Sequence, residues 1–172
     1  MAVAIACIAT AKPTTIFAQA ASAPTLDDPT IIAIFDAANT YDIETGSVAV
    51  KRAHSKVVRD FATMLIRDHR NVRTQGRSLA ASLKLTPTPP RNFALAKSHK
   101  AAMASLKKAR GAEFDRVFLR QEIDFHNAVI DAVTNTLLPA IQNAQVKDLV
   151  TKVAPAFVAH RDRAQSLLNE IK

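Results

Sequence analysis

The strongest constraint on the fold is a helical repeat of apolar side chains, which recurs in four long stretches of this 172-residue chain. In the second stretch, Val57, Phe61, Leu65 and Val72 share one face of a helix. Prolines and short polar breaks separate the stretches. The spacing predicts long helices at about residues 31–52, 56–83, 113–138 and 145–171, and a shorter helix at about residues 94–109.

The connections between these helices indicate how they pack. Short breaks near residues 54 and 141 would join the long helices into two antiparallel pairs, and the proline-rich segment 86–90 would link the pairs. Gly111 is expected to end the short helix, and Pro155 projects to the outer face of the last one. The sequence therefore predicts an all-α, antiparallel four-helix bundle with a short extra helix between the two hairpins.

The first 23 residues predict an export signal, because they are apolar, rich in small side chains and end in two A-x-A triplets. No basic residue precedes the apolar part, which leaves open whether this signal is complete. Cys7, the only cysteine, lies within it; the mature chain would then form no disulfide, although a lipid anchor at Cys7 is an alternative. Residues 24–172 are expected to form one periplasmic or otherwise exported domain, in which no apolar run is long enough to span a bilayer.

Histidines occupy the predicted inward arcs of three different helices. They are His69, His126 and His160, and the last two lie at similar distances from the turn near residue 141. Carboxylates accompany them at Asp42, Glu44, Asp68, Asp115 and Glu122, with Asp42 and Glu44 on neighbouring stripes of the first helix. His54 and His99 are expected to be exposed and receive no role.

Inward ionisable groups need a reason, because burying one without a partner costs several kcal/mol. Imidazole and carboxylate ligands from facing helices commonly bind a transition metal in a bundle core, here Zn, Fe, Mn, Cu or Ni. Alternatively, the same groups could satisfy one another as a hydrogen-bonded Asp–His network that fixes helix register. Periodicity alone leaves these two hypotheses open.

Other functions find less support in the residues. The chain has no glycine-rich phosphate loop, no G-x-S-x-G and no H-E-x-x-H. The spacing Glu122-x-x-x-His126 also differs from the Glu-x-x-His pattern of di-iron bundles. No enzymatic activity is therefore predicted. The net charge is +8, but the basic residues are not interleaved with aromatic residues. We therefore expect no nucleic-acid binding and at most weak association with anionic envelope surfaces.

Several short segments resemble the bacterial domain of unknown function family 4142, and the resemblance spans about residues 30–170. They are Asp42-Ile43-Glu44-Thr45-Gly46, Phe61 to His69, Phe114 to Phe118, His126 and His160. The resemblance implies a ferritin-like four-helix fold in exported proteins with no established activity. Its pattern includes Glu44, Asp68, His69, Asp115, His126 and His160; it does not include Glu122, and Asp42 stands where a glutamate is more usual.

The leading hypothesis is a metal ion bound by His69, His126 and His160, with Asp115 or Glu44 completing the ligand set. Asp68, Glu122 and Asp42 are predicted to support these ligands or to replace one of them. The alternative is an envelope or stress-related structural or interaction module without metal, whose buried Asp–His network holds the bundle together.

Overall fold

The computed structural model describes residues 26–91 and 93–171, and within them every regular element is a helix. The predicted export signal and Cys7 lie outside the described residues. The elements are α1 (Asp28–Arg52), α2 (Lys56–Ser82), α3 (Ala94–Lys108), α4 (Gly111–Ala132), a π-helix (Val133–Leu137), α5 (Leu138–Ala140) and α6 (Ala144–Glu170). The all-α prediction is confirmed. The π-helix interrupts what the sequence predicted as one continuous helix.

Local sequence explains where the helices begin and end. The Asp27 side chain accepts a hydrogen bond from Thr30 N at 2.9 Å, and Pro29 occupies the first turn of α1. Asn143 caps α6 in the same way. The prediction for Gly111 is wrong: α3 ends at Lys108, and Gly111 begins α4 with a φ of 55°, which glycine adopts without strain.

The long helices pack as two hairpins. Helix α1 lies along α2 and α4 lies along α6, each pair joined by a short turn, so the partners are antiparallel. Contacts of α2 with α6 and of α1 with α4 join the hairpins, while α3 packs on α1 and α4. Pro155 is exposed, as predicted, and α6 continues through it.

Two buried carboxylates tie each hairpin to the turn of the other. Asp115 on α4 accepts hydrogen bonds from the backbone N–H groups of residues 54 and 55, at 2.8 and 2.7 Å. Asp28 on α1 accepts from the N–H groups of residues 142 and 143, at 2.9 and 2.8 Å. Both carboxylates satisfy turn N–H groups that would otherwise lack partners.

The apolar core is divided into two clusters. One surrounds Phe35 and Phe157 near the α5–α6 turn, and the other surrounds Phe61 and Phe118 near the α1–α2 turn. In each long helix, buried polar residues fall between the positions that belong to the two clusters; they are Asn39, Asp42, Thr45, His69, Glu122, His126 and His160. A polar layer therefore crosses the middle of the bundle.

Within residues 26–91 and 93–171, none of the helices has both the length and the apolar character needed to cross a bilayer.

Candidate metal centre

The three histidines that the sequence placed on inward faces meet in the polar layer. Ring centroids of His69 and His160 are 5.1 Å apart, those of His126 and His160 5.4 Å, and those of His69 and His126 5.7 Å. The exposed fractions of His69, His126 and His160 are 2%, 0% and 5%. We call this cluster the histidine triad. It brings together side chains from α2, α4 and α6, as the metal hypothesis requires.

Hydrogen bonds fix the tautomers of His69 and His126. The Nδ1 of His126 lies 2.8 Å from the backbone carbonyl of Glu122, which can only accept, so Nδ1 carries the proton. The Nδ1 of His69 lies 2.9 Å from Asn39 Oδ1, while the Asn39 amide nitrogen donates to the Phe35 carbonyl at 2.8 Å. The Asn39 oxygen therefore faces His69 as an acceptor. Both histidines keep the lone pair on Nε2.

The third histidine is held by a carboxylate. The Nε2 of His160 lies 3.2 Å from Asp68 Oδ2, and Arg67 donates to the other oxygen of Asp68 at 2.8 Å. Burial raises the pKa of Asp68, but the hydrogen bonds from Arg67 and His160 outweigh burial and leave it below its usual value. The ionised carboxylate accepts the proton of Nε2, so His160 keeps its lone pair on Nδ1.

The remaining nitrogens of the triad have no hydrogen-bond partner. These are Nε2 of His69, Nε2 of His126 and Nδ1 of His160, all buried. One ring nitrogen from each histidine can be chosen so that all three lie within 4.8 Å of one another. Burial lowers the pKa of His126 to about 4 and also lowers the pKa of both other histidines, that of His69 substantially. At neutral pH the triad presents neutral imidazoles whose free lone pairs are buried.

Two buried carboxyl groups lie beside the triad. Asp42 Oδ2 is 3.2 Å from His69 Nε2, and Glu122 Oε1 accepts from the Thr45 hydroxyl at 3.1 Å. Burial raises the pKa of Glu122 to about 7, although its contacts with Asp42 and Thr45 oppose the increase. Burial and the nearby charge of Glu122 raise the pKa of Asp42 well above its usual value. Asp42, Glu122 and His126 form a second set with donor atoms within 4.8 Å of one another.

The structure does not bring Asp115 or Glu44 to the triad, although both were predicted to complete the ligand set. Both oxygens of Asp115 are engaged by the α1–α2 turn. The Glu44 side chain is 50% exposed and lies 2.7 Å from His99 Nε2. The expectation that His99 is exposed is wrong, because its ring stacks on Tyr41 with centroids 4.2 Å apart and only 12% of the side chain is accessible.

Sequence reasoning missed three residues that shape the site. Asn39 orients His69, Thr45 hydrogen-bonds Glu122, and the Phe157 ring lies 6.3 Å from that of His69 and 6.4 Å from that of His126. Asn39 follows Phe35 by four positions and so shares its inward stripe, which was a usable signal. Thr45 and Phe157 carry no comparable signal, since a threonine or phenylalanine in a helix arc is ordinary.

The fold and the site together define a small helical domain with a buried cluster of histidines. The model of a family described as Domain of unknown function (DUF4142) matches residues 13–167, and the chain belongs to this family. The match confirms the resemblance found in the sequence. It begins within the predicted export signal. No curated protein matches the sequence.

Solved structures share this fold at low sequence identity. A DUF305 fragment from Deinococcus radiodurans superposes with a TM-score of 0.73 at 16% identity, covering 86% of this chain and 97% of that one. CopM, solved in its Cu(II)-bound form, superposes with a TM-score of 0.66 at 17% identity, covering 85% of this chain and 99% of CopM. Likeness at these identities establishes the common fold.

Proposed function

We propose that this protein is an exported helical domain that binds one divalent transition-metal ion through His69, His126 and His160. The observation that carries the proposal is that each of these three clustered imidazoles has a buried ring nitrogen without a hydrogen-bond partner. In each histidine the other ring nitrogen is already held by an oxygen acceptor. That arrangement of outer acceptor and inner lone pair is the usual support of metal-binding histidines.

A purely structural network explains these contacts less well. Buried polar atoms in folded proteins almost always have hydrogen-bond partners, and each one left without a partner costs about 1–3 kcal/mol. In a network built only to fix helix register, the inner nitrogens would pair with neighbouring groups. Instead, His69 Nε2 and Asp42 Oδ2 lie 3.2 Å apart and neither has a hydrogen-bond partner. A cation bound between these two atoms would give each of them a partner.

The chemistry of the donors supports a borderline metal rather than Mg²⁺ or Ca²⁺. Three neutral imidazoles with one carboxylate, here Asp42, suit Zn, Cu, Ni or Fe. Tetrahedral ligation at about 2.0–2.1 Å places nitrogens roughly 3.3 Å apart. Donor atoms separated by up to 4.8 Å would therefore have to approach one another by up to about 1.5 Å. CopM, which shares this fold, was solved with Cu(II), and copper is accordingly one of the ions to test.

We place the protein in the periplasm or another exported location, as a single domain at residues 24–172 that follows the predicted export signal. This part of the proposal rests on the first 23 residues, which are apolar and contain two A-x-A triplets. Weak association of the cationic surface with anionic envelope components stays a prediction. It would weaken steeply as salt increases.

Metal analysis of protein purified without a histidine tag tests the function. After reconstitution with Zn²⁺, Cu²⁺, Ni²⁺, Fe²⁺ or Mn²⁺ and removal of excess ion, we expect one equivalent of at least one metal. His126→Ala and His160→Ala should lose that equivalent, whereas His54→Ala, which changes an exposed histidine, should retain it.

The network without metal gives a different result. Under that alternative, wild-type protein retains no stoichiometric metal, and His126→Ala lowers thermal stability equally with and without a chelator. Such an outcome would overturn the proposed function.

A further inference from the structure

A cavity of about 450 Å³ lies between α1, α3 and α4, beside the polar layer. Exposed residues on α3, among them Ser98 and Ser105, form part of its wall, so the cavity opens to solvent. Much of the remaining wall is apolar or small, including Leu95, Ala102 and Phe125. The cavity therefore reaches from the surface of the bundle toward its centre, with enough open space for a hydrated ion.

The walls of this cavity carry carboxyl groups and lack the basic side chains that dominate the chain. The chain has a net charge of +8, yet no lysine or arginine is among the residues that line the cavity. Its acidic lining consists of Asp42, Glu122 and Asp124, beside Tyr41 and His99, and His99 contacts Glu44. An incoming cation therefore meets carboxyl oxygens and no lysine or arginine. The composition of the wall favours a small cation.

The inner end of the cavity holds unpartnered donor atoms. Asp42 and Glu122 line the cavity, each residue is 2% exposed, and neither Asp42 Oδ2 nor Glu122 Oε2 has a hydrogen-bond partner. These two carboxyl groups form a donor set with His126. Asp42 Oδ2 also lies 3.2 Å from His69 Nε2. The carboxyl pair thus contacts both the cavity and the triad.

We propose that this cavity is the entry route for the metal cation and that Asp42 and Glu122 form a first cation site from which the ion passes to the triad. The inference rests on the proposed function, because it assumes that the triad is the destination. In this arrangement the carboxyl pair receives the ion from the cavity, and His126, shared by both donor sets, connects the two sites. Each carboxyl group would release its proton to solvent as it supplies an oxygen ligand to the partly hydrated ion, and the imidazoles would then replace the remaining water.

The rate of Co²⁺ loading tests the route. Metal-free protein is mixed rapidly with Co²⁺, and visible absorption, which reports a cobalt ion bound by nitrogen, is recorded over time. Ala102→Phe fills the cavity from α3, while Ala104→Phe adds the same ring at an exposed position of α3 outside the cavity. Glu122→Gln removes one carboxylate and keeps its shape.

We expect Ala102→Phe and Glu122→Gln to load at least tenfold more slowly than wild type, and Ala104→Phe to load at the wild-type rate. All four proteins should reach one Co²⁺ per chain, and circular dichroism should show equal helix content. Wild-type loading rates in either Ala102→Phe or Glu122→Gln, at full final stoichiometry, would overturn the entry route and leave the triad site standing. If wild-type protein binds neither Co²⁺ nor any metal of the reconstitution series, both the proposed function and the route are overturned.

Discussion

Replacing Glu122 with glutamine should change how the stability of the metal-free protein depends on pH. The pKa of this buried carboxyl group is about 7, raised from 4.5 chiefly by burial. Its folded-state pKa exceeds the unfolded value, so the folded protein binds the proton more tightly. The resulting stabilisation is complete below pH 4.5 and is lost as pH rises to about 7.

The size of the effect follows from the two pKa values. One pKa unit corresponds to about 1.4 kcal/mol, so the increase from 4.5 to about 7 amounts to about 3 kcal/mol. Most of this change falls between pH 5 and pH 8. Glutamine does not ionise, so Glu122→Gln should gain about 3 kcal/mol relative to wild type as the pH rises from about 4 to about 8, most of it above about pH 5. For a domain of this size the gain corresponds to roughly 6–12 °C in Tm.

Urea unfolding at pH 5 and pH 8, followed by circular dichroism with EDTA present, measures the difference. The histidines are common to both proteins, so their own pH dependence largely cancels in the comparison. The charge of Glu122 also raises the pKa of Asp42, so the measured difference belongs to this pair of carboxyl groups. Glu113→Gln is the matched control, because Glu113 lies on the same helix with a 55% exposed side chain. We expect that control to change by less than about 0.5 kcal/mol. Parallel pH profiles for Glu122→Gln and wild type would refute the idea that burial keeps this carboxyl group protonated.

Other substitutions separate residues that support the fold from residues that support the metal. Asp115→Asn and Asp28→Asn each weaken a carboxylate clamp on two turn N–H groups, so urea unfolding should show a loss of about 1–3 kcal/mol while metal stoichiometry stays unchanged. Unchanged stability would contradict the claim that these carboxylates stabilise the fold by binding the turns. Asp68→Asn removes the charged acceptor of His160, so metal affinity measured by competition with a chelator should fall about 10–100-fold; wild-type affinity would count against that support. Gly46→Ala should destabilise the protein by about 1–3 kcal/mol, because its Cβ would lie 3.0 Å from a side-chain carbon and 3.3 Å from a backbone oxygen of α2. An alanine Cβ at Gly76 would meet only ordinary contacts of 3.4 Å or more, so Gly76→Ala should raise the free energy of unfolding by up to about 1 kcal/mol, measured by thermal unfolding. Equal effects of the two alanines would refute the packing argument.

The long helices were predictable because apolar spacing, prolines and caps all agree along the chain. Placing His126 and His160 at one level was predictable too, since an antiparallel pair sets depth by distance from its turn. The meeting of His69 with them depended on how the two hairpins align. That alignment is set by contacts between distant segments, which periodicity does not report.

The carboxylates show which features of the site helical periodicity does not predict. Asp42 and Glu44 lie on neighbouring stripes of α1, and only packing against α4 and α3 settled which one is buried. Asp115 was correctly placed inward, but its partners are backbone N–H groups of a turn on the other hairpin. A sequence pattern can indicate that a carboxylate is buried. It does not indicate whether the partner is a metal ion or an N–H group.

The most direct test of the central claim is a crystal structure of the protein grown with Zn²⁺ or Cu²⁺, with anomalous diffraction recorded at the edge of that metal. We predict one strong anomalous peak inside the bundle, about 2.0–2.1 Å from His69 Nε2, His126 Nε2 and His160 Nδ1. Asp42 should be the nearest carboxylate. A triad without a peak, or a metal bound only at surface residues, would contradict the claim that the triad is a metal site.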